Sequence, residues 1–197
     1  WESADFKNIT MSMLLRPANV KPSCQFWLSE AVALAVVHTL DRYIDNGVSI
    51  KWPNDIYWND RKICGILVEH SLSGGKIDHT IAGIGLNINQ EKFLSNAPNP
   101  VSLSQITGSD ESIDHLLERI LQAFGDYYRR VLEGDYAGIS HEYHEALYRR
   151  KGFYRYRDAD GEFDAELVGV AYDGRLSLRD SEGRQRSYAF KEVEFII

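Results

Sequence analysis

The spacing of apolar residues changes several times along the chain, and each change predicts a new element. Apolar residues alternate over 9–15, which predicts a strand, and recur at helical spacing over 23–46, which predicts a helix. Alternation returns over 48–52, so Lys51 is expected on the strand face opposite the core. An apolar run over 63–68 predicts the next strand. The first third of the chain therefore reads as strand, helix, strand, turn and strand.

A strand with an unusual face is predicted over residues 80–89. Every second residue is apolar, and the positions between them hold two glycines and then two asparagines: Gly83, Gly85, Asn87 and Asn89. A face without side chains that is followed by carboxamides suits the close approach of a ligand. A bulge or tight packing against a helix would explain the same glycines.

The second half predicts two helices and then a β-rich end. Helical spacing covers 113–132 and 136–147. Three turn dipeptides follow within a short stretch and predict a β-meander curled into a small barrel: Asp160-Gly161, Asp173-Gly174 and Glu182-Gly183. The predicted fold class is α+β, with a mixed, mainly antiparallel sheet that carries its helices on one face. The predicted domains are 1–149 and the small barrel, 150–197.

Composition narrows the range of partners and settings. A net charge of −7 opposes non-specific binding to nucleic acid, and no apolar run approaches the roughly 20 residues that a membrane span needs. Cys24 and Cys64 are the only two cysteines, which favours a reducing, cytoplasmic setting without a disulfide framework. We therefore expect neither nucleic acid nor a membrane as a partner.

The densest group of candidate chemical residues spans 51–69. Lys51-Trp52-Pro53-Asn54-Asp55-Ile56 ends one predicted strand, because Pro53 cannot donate to a sheet ladder. Lys62 directly precedes the strand predicted over 63–68. A single lysine at a strand end is most often only solvated, but two lysines with a carboxylate between them suit an anionic ligand that comes with a divalent metal.

Three blocks in this order and spacing resemble the biotin–protein ligases: 51–56, Lys62-x-x-Gly65-Ile66-Leu67-Val68-Glu69, and Gly83-Ile84-Gly85-Leu86-Asn87-Ile88-Asn89. The terminal β-meander is similar to the small SH3-like domain of that family, so the likeness covers essentially the whole chain. The family pattern also has a Gly-Arg-rich segment before the tryptophan that matches Trp1, and an earlier part of the catalytic domain. This sequence contains neither.

The resemblance implies a two-step ligase reaction that uses ATP and Mg²⁺. Biotin is activated as biotinyl-5′-AMP and then transferred to a lysine of a biotin carboxyl carrier protein, as in biotin–[acetyl-CoA-carboxylase] ligases. Positive charge is needed where a carboxylate meets a phosphate. The resemblance assigns that catalytic role to Lys62, phosphate charge to Lys51, and Mg²⁺ binding or orientation of the acceptor lysine to Asp55.

The resemblance also implies a set of substrate- and nucleotide-binding residues: Trp1 beside adenine, Asn54 and Asn87 at the nucleotide, and Gly65, Ile66 and Gly85 along the ligand. A homodimer or a monomer is compatible with the family. Three other functions stay open: a lipoate or octanoate–protein ligase, a non-catalytic module that docks the carrier domain, and an unrelated nucleotide-binding domain. Lipoate ligases lack the Lys-Trp-Pro-Asn-Asp block, which favours biotin.

Overall fold

The computed structural model of this protein describes residues 3–94 and 99–197. Within them the elements in chain order are β1 (Asn8–Leu15), α1 (Phe26–Leu40), β2 (Val48–Lys51), β3 (Asp55–Trp58), β4 (Arg61–Ser73), β5 (Lys76–Asn87), α2 (Leu103–Thr107), α3 (Ile113–Glu133), α4 (Tyr136–Glu145), β6 (Phe153–Asp158), β7 (Gly161–Val170), β8 (Leu176–Asp180), β9 (Gln185–Tyr188) and β10 (Glu194–Phe195). The α+β class predicted from the sequence is confirmed.

The N-terminal sheet has five strands in the order β1-β5-β4-β3-β2. All its ladders are antiparallel, so the prediction of a mixed sheet is wrong for the described residues. Parallel pairing occurs there only as two isolated bridges, Ile50–Leu147 and Lys62–Pro100. The antiparallel arrangement follows from the short hairpin connections, since parallel neighbours need long crossovers.

The helices cover one face of this sheet, as predicted. Helix α1 contacts β2, β3 and β4 on one side and α3 and α4 on the other. It is therefore buried nearly all round, and its residues are apolar on almost every side. It is shorter than the predicted 23–46, because a 3₁₀ turn occupies Pro22–Cys24 and the helix ends at Leu40.

Helices α2 and α3 begin at serine caps. Ser102 accepts from the Gln105 amide while the Gln105 side chain accepts from Ser102, and Gly108 ends α2 with φ of 80°. Ser112 accepts from the His115 amide at 3.3 Å and opens α3. Helix α3 packs against α1 and also contacts β1.

The C-terminal strands form a second five-stranded antiparallel sheet in the order β10-β6-β7-β8-β9. The β-rich runs of the predicted meander, 162–172, 175–179 and 185–190, correspond to β7, β8 and β9. Strands β6 and β10 were not predicted. No ladder joins the edge strands β10 and β9 in the described structure, and closure into an SH3-like barrel stays a prediction. The sheet contacts the rest of the chain where the Trp52 indole N–H donates to Gly174 O at 2.9 Å and the Val170 amide donates to His144 Nε2 at 2.8 Å.

Among the described residues no helix combines the length and the apolar character that crossing a membrane requires.

Candidate functional site

One row of cross-strand partners runs across the whole N-terminal sheet. The register pairs Thr10 with Gly85, Gly85 with Gly65, Gly65 with Asp55, and Asp55 with Lys51. Directly paired residues in a sheet lie on the same face. The row therefore presents a hydroxyl, two positions without side chains, a carboxylate and an ammonium on one face of the sheet.

The adjacent row is apolar throughout and faces the helices. It consists of Ile9, Leu86, Cys64, Ile56 and Ile50, each 4% exposed or less. Alternation along the strands thus separates an apolar face, packed against the helices, from the opposite face that carries Thr10, Gly85, Gly65, Asp55 and Lys51. We call this opposite face the chemical face. The sequence predicted this separation for Lys51 and for the glycines of β5.

Lys62 joins the chemical face through a β-bulge. The β3–β4 register shifts between Ile56 and Tyr57, so that Ile56 pairs with Cys64 and Tyr57 with Lys62. Ile63 is the extra residue, and both Ile63 and Cys64 are fully buried. Without the bulge the odd spacing between Lys62 and Gly65 would place them on opposite faces.

Lys62 and Asp55 form an ion pair, with 2.7 Å between Nζ and Oδ1. Their side chains are 25% and 20% exposed, so both are partly withdrawn from water but open to a ligand. The ammonium of Lys62 attracts an anion more strongly in such a setting than it would on an open surface.

Lys51 lies between aromatic rings beside this pair. Its Nζ is 5.3 Å from the Tyr57 ring centroid and 5.0 Å from that of Phe195. Burial lowers the pKa of the Lys51 ammonium, and Lys62 and Arg149 act in the same direction against Asp55 and Glu194. An incoming anion would relieve that repulsion between cations.

These side chains open onto a cleft of about 550 Å³ between the two sheets. Its lining combines the 51–55 segment and Lys62 with residues of the C-terminal sheet: Phe190, Lys191, Val193, Glu194 and Phe195. Sequence reasoning missed this second wall. The run lies more than a hundred residues from Lys62 along the chain, and nothing in its local pattern marks it as part of a site.

The predicted binding residues differ in how they meet the cleft. The Asn54 amide nitrogen donates to Ile66 O, the Ile66 amide donates to Asn54 O at 2.8 Å, and Asn54 lines the cleft. Ile66 is buried and pairs with Ile84, so it reaches this region through its backbone. Asn87 is 3% exposed and donates to Val101 O at 3.0 Å. Trp1 lies outside the described residues.

The described carboxylates suit a metal ion only when the substrate and water supply its other ligands. Among the described residues no three His, Cys, Asp or Glu side chains are grouped to hold an ion. Mg²⁺ commonly binds through one or two carboxylates together with substrate phosphates and water. Asp55 at the cleft fits the single-carboxylate case.

The turn between β2 and β3 is anchored to the C-terminal sheet, and we expect this anchor to be needed for the geometry of Lys51 and Asp55. Trp52 is 4% exposed and donates to Gly174 O, and the Tyr143 hydroxyl donates to Pro53 O at 3.5 Å. Trp52→Phe should lower the free energy of unfolding by roughly 1–3 kcal/mol, because it leaves the partly buried Gly174 carbonyl without its donor. Denaturant unfolding measures this loss.

Trp58→Phe is the matched control. Its indole N–H also donates to a backbone carbonyl, that of Asn46 at 3.2 Å, but in an exposed setting where water can replace the donor. We expect a smaller loss there. Equal losses in the two variants would contradict an anchoring role for Trp52.

Comparisons with known proteins find relatives in sequence and in structure. Residues 1–87 match the sequence profile of the Biotin/lipoate A/B protein ligase family. The chain is 30% identical over 196 residues to the bifunctional ligase/repressor BirA of Bacillus subtilis, covering 96% of this chain and 59% of that protein. It is 29% identical over 142 residues to the biotin–[acetyl-CoA-carboxylase] ligase of Paracoccus denitrificans, covering 70% of this chain and 59% of that one. The chain thus spans less than two thirds of the length of these relatives.

Solved structures show the same fold. The apo biotin protein ligase of Aquifex aeolicus superposes with a TM-score of 0.78 at 23% identity, covering 96% of this chain and 82% of that one. The same enzyme in complex with biotin and ATP gives 0.77 at 24% identity, covering 95% and 78%. This chain is similar to biotin–protein ligases in sequence and in fold, and its residues 1–87 match the Biotin/lipoate A/B protein ligase family model.

Proposed function

We propose that this chain carries the adenylation and transfer site of a biotin–protein ligase. In the first step a carboxylate oxygen of biotin attacks the α-phosphorus of ATP, the bond to the β-phosphate oxygen breaks, and pyrophosphate leaves. In the second step a lysine amine of a biotin carboxyl carrier protein attacks the acyl carbon. AMP leaves with the bonding electrons, and the amine loses a proton.

The observation that carries this proposal is the Lys62–Asp55 pair on the chemical face, next to the paired glycines Gly65 and Gly85. The two glycines carry no side chain beside this pair, so a ligand can lie close to the backbone there. The Lys62 ammonium lines the cleft, where a carboxylate would meet a phosphate. Its positive charge would stabilise the negative charge that develops on the phosphoryl oxygens.

Lys51 and Asn54 complete the nucleotide side in this proposal. Lys51 brings a second cation whose burial is already costly, so binding of phosphate is favourable. The side-chain nitrogen of Asn54 donates a hydrogen bond to Ile66 O. The side-chain oxygen of Asn54, Oδ1, accepts no hydrogen bond from the described residues. That oxygen is suited to accept from an amino group of the nucleotide base. Asn87, in contrast, supports the loop at Val101 and would act indirectly.

Asp55 is the residue that would hold Mg²⁺ brought in with the nucleotide. The metal would supply further positive charge to the phosphates. In the transfer step the Asp55 carboxylate would orient the acceptor amine and take up its proton.

The domain division and the C-terminal barrel belong to the same proposal. The backbone leaves the first sheet where the Tyr148 amide donates to Ile50 O at 2.9 Å, and β6 of the second sheet begins at Phe153. A boundary at 149 and 150 fits that change. We assign the second sheet to an SH3-like domain whose edge, β10, forms part of the cleft wall.

Exchange of labelled pyrophosphate into ATP tests the proposal, using the full-length protein. We expect exchange that depends on biotin and is not supported by lipoate or octanoate, followed by transfer of biotin to a carrier domain. Exchange with lipoate alone would identify a lipoate-type ligase. Binding of a carrier domain without any exchange would identify a docking module.

A further inference from the structure

The wall of the cleft contributed by the C-terminal sheet carries a lysine in an unfavourable backbone conformation. Lys191 has φ of 70°, a region that favours glycine or asparagine and costs other residues conformational energy. It occupies the third position of the turn 189–192, which closes where the Glu192 amide donates to Ala189 O at 3.1 Å. A positive φ at this position of a turn is normally supplied by glycine.

The carboxylates beside Lys191 are engaged with arginines. Glu192 lies 3.3 Å from Arg175, and Glu194 lies 3.0 Å from Arg157. Within residues 3–94 and 99–197, no carboxylate forms an ion pair with Lys191. Its Nζ lies 5.4 Å from the centroid of the exposed Phe190 ring.

The charge balance of the cleft favours an anion. Its lining includes the cations Lys51, Lys62 and Lys191 and the carboxylates Asp55 and Glu194, and both carboxylates already have cationic partners. Lys191 also borders a second cleft, but the side chains there include Asp158, Asp160 and Glu192. An anionic ligand would be repelled from that side.

We infer that Lys191 is a further phosphate-binding residue, which the C-terminal sheet contributes to the pyrophosphate end of the nucleotide. This inference rests on the proposed ligase function. If Lys62 meets the α-phosphate, the β- and γ-phosphates must extend along the same cleft toward its other wall. Lys191 is the cation on that wall, and an exposed ammonium can bind phosphate as a point charge.

Two substitutions separate binding from folding. Lys191→Gly removes the charge and relieves the backbone, so its melting temperature should equal or exceed that of the parent. Lys191→Gln removes the charge and keeps the backbone cost. Lys76→Gln removes an exposed lysine from the β4–β5 hairpin and is the control.

Calorimetric titration with Mg²⁺–pyrophosphate and with ATP is the test, on the full-length protein. Both Lys191 variants should bind pyrophosphate roughly tenfold more weakly and raise KM for ATP to a similar extent, as expected when one charged contact is lost. KM for biotin and all values for Lys76→Gln should stay at those of the parent.

Unchanged pyrophosphate binding in both variants would overturn the inference. So would a weakening that accompanies a lower melting temperature in Lys191→Gly, because that points to a structural role. A change confined to KM for the carrier protein would also overturn it and place Lys191 at the acceptor surface. If the parent shows no biotin-dependent exchange, the proposed function fails, while the pyrophosphate titration still decides whether Lys191 binds phosphate.

Discussion

Lys62→Gln should reduce biotin-dependent ATP–pyrophosphate exchange by on the order of a thousandfold, the size of effect seen when a preorganised charge-stabilising group is removed. Glutamine keeps most of the side-chain volume but cannot neutralise charge on the phosphoryl oxygens. It also leaves Asp55 without the partner 2.7 Å away, so a carboxylate would repel the phosphates. Exchange kinetics with saturating biotin measure the loss as a fall in kcat.

Two further variants show whether charge alone matters. Lys62→Arg keeps the cation and should retain more activity than Lys62→Gln, although its planar head cannot reproduce the point contact. Lys7→Gln breaks another lysine–aspartate pair, with Asp110 at 3.7 Å on the surface, and should leave exchange unchanged. An exchange rate near that of the parent in Lys62→Gln would remove Lys62 from the catalytic centre.

Glu30→Leu should stabilise the protein, and by more at pH 8 than at pH 5. Glu30 lies in α1, is 1% exposed, and its Oε2 has no hydrogen-bond partner in the described structure. Burial raises the pKa of this carboxyl to about 8 from an ordinary value of 4.5. The folded protein therefore keeps the carboxyl protonated over a range where the unfolded chain has released the proton.

The sign of the pH effect follows from that difference. Between pH 4.5 and 8 the unfolded state binds fewer protons at Glu30 than the folded state does, so the free energy of unfolding falls as pH rises. Below that window both states are protonated, and Glu30 no longer makes the stability depend on pH. Between pH 5 and pH 8 the advantage of the leucine variant should grow by on the order of 3 kcal/mol.

Denaturant unfolding at several pH values measures this advantage. Glu30→Gln removes the titration without adding apolar surface and should remove the same pH dependence. Glu118→Gln, at an exposed position of α3, should leave the dependence in place. If Glu30→Leu and the parent differ by the same amount at pH 5 and pH 8, Glu30 is not held protonated by the fold.

The spacing of apolar residues and the composition were enough to predict the chemical face of the first sheet, but not every residue that lies on it. Alternation placed Lys51 opposite the core and aligned Gly83, Gly85 and Asn87 on one face. The same reasoning could not place Lys62, because a bulge adds one residue without leaving a mark in the hydrophobic pattern. The same reasoning did not predict that Glu30 is buried, since a single carboxylate in a helix is expected at the surface.

Local sequence patterns could not predict the second wall of the cleft, for a different reason. Strand β10 has two residues, too few for a periodic signal, and pairs with β6, which the prediction also lacked. Phe195 and Lys191 reach the cleft only through the packing of one sheet against the other. Such contacts depend on tertiary geometry, which the spacing of residues along a strand does not encode.

The extra residue Ile63 makes the site sensitive to chain length as well as to chemistry. Deleting Ile63 would keep every candidate side chain and the net charge. It would also restore regular pairing and turn the Lys62 ammonium into the apolar layer beneath α1. In this hairpin, a deletion that keeps every candidate side chain would therefore harm the site more than most substitutions. A register shift of one residue moves the side chains of a strand to the opposite face of the sheet.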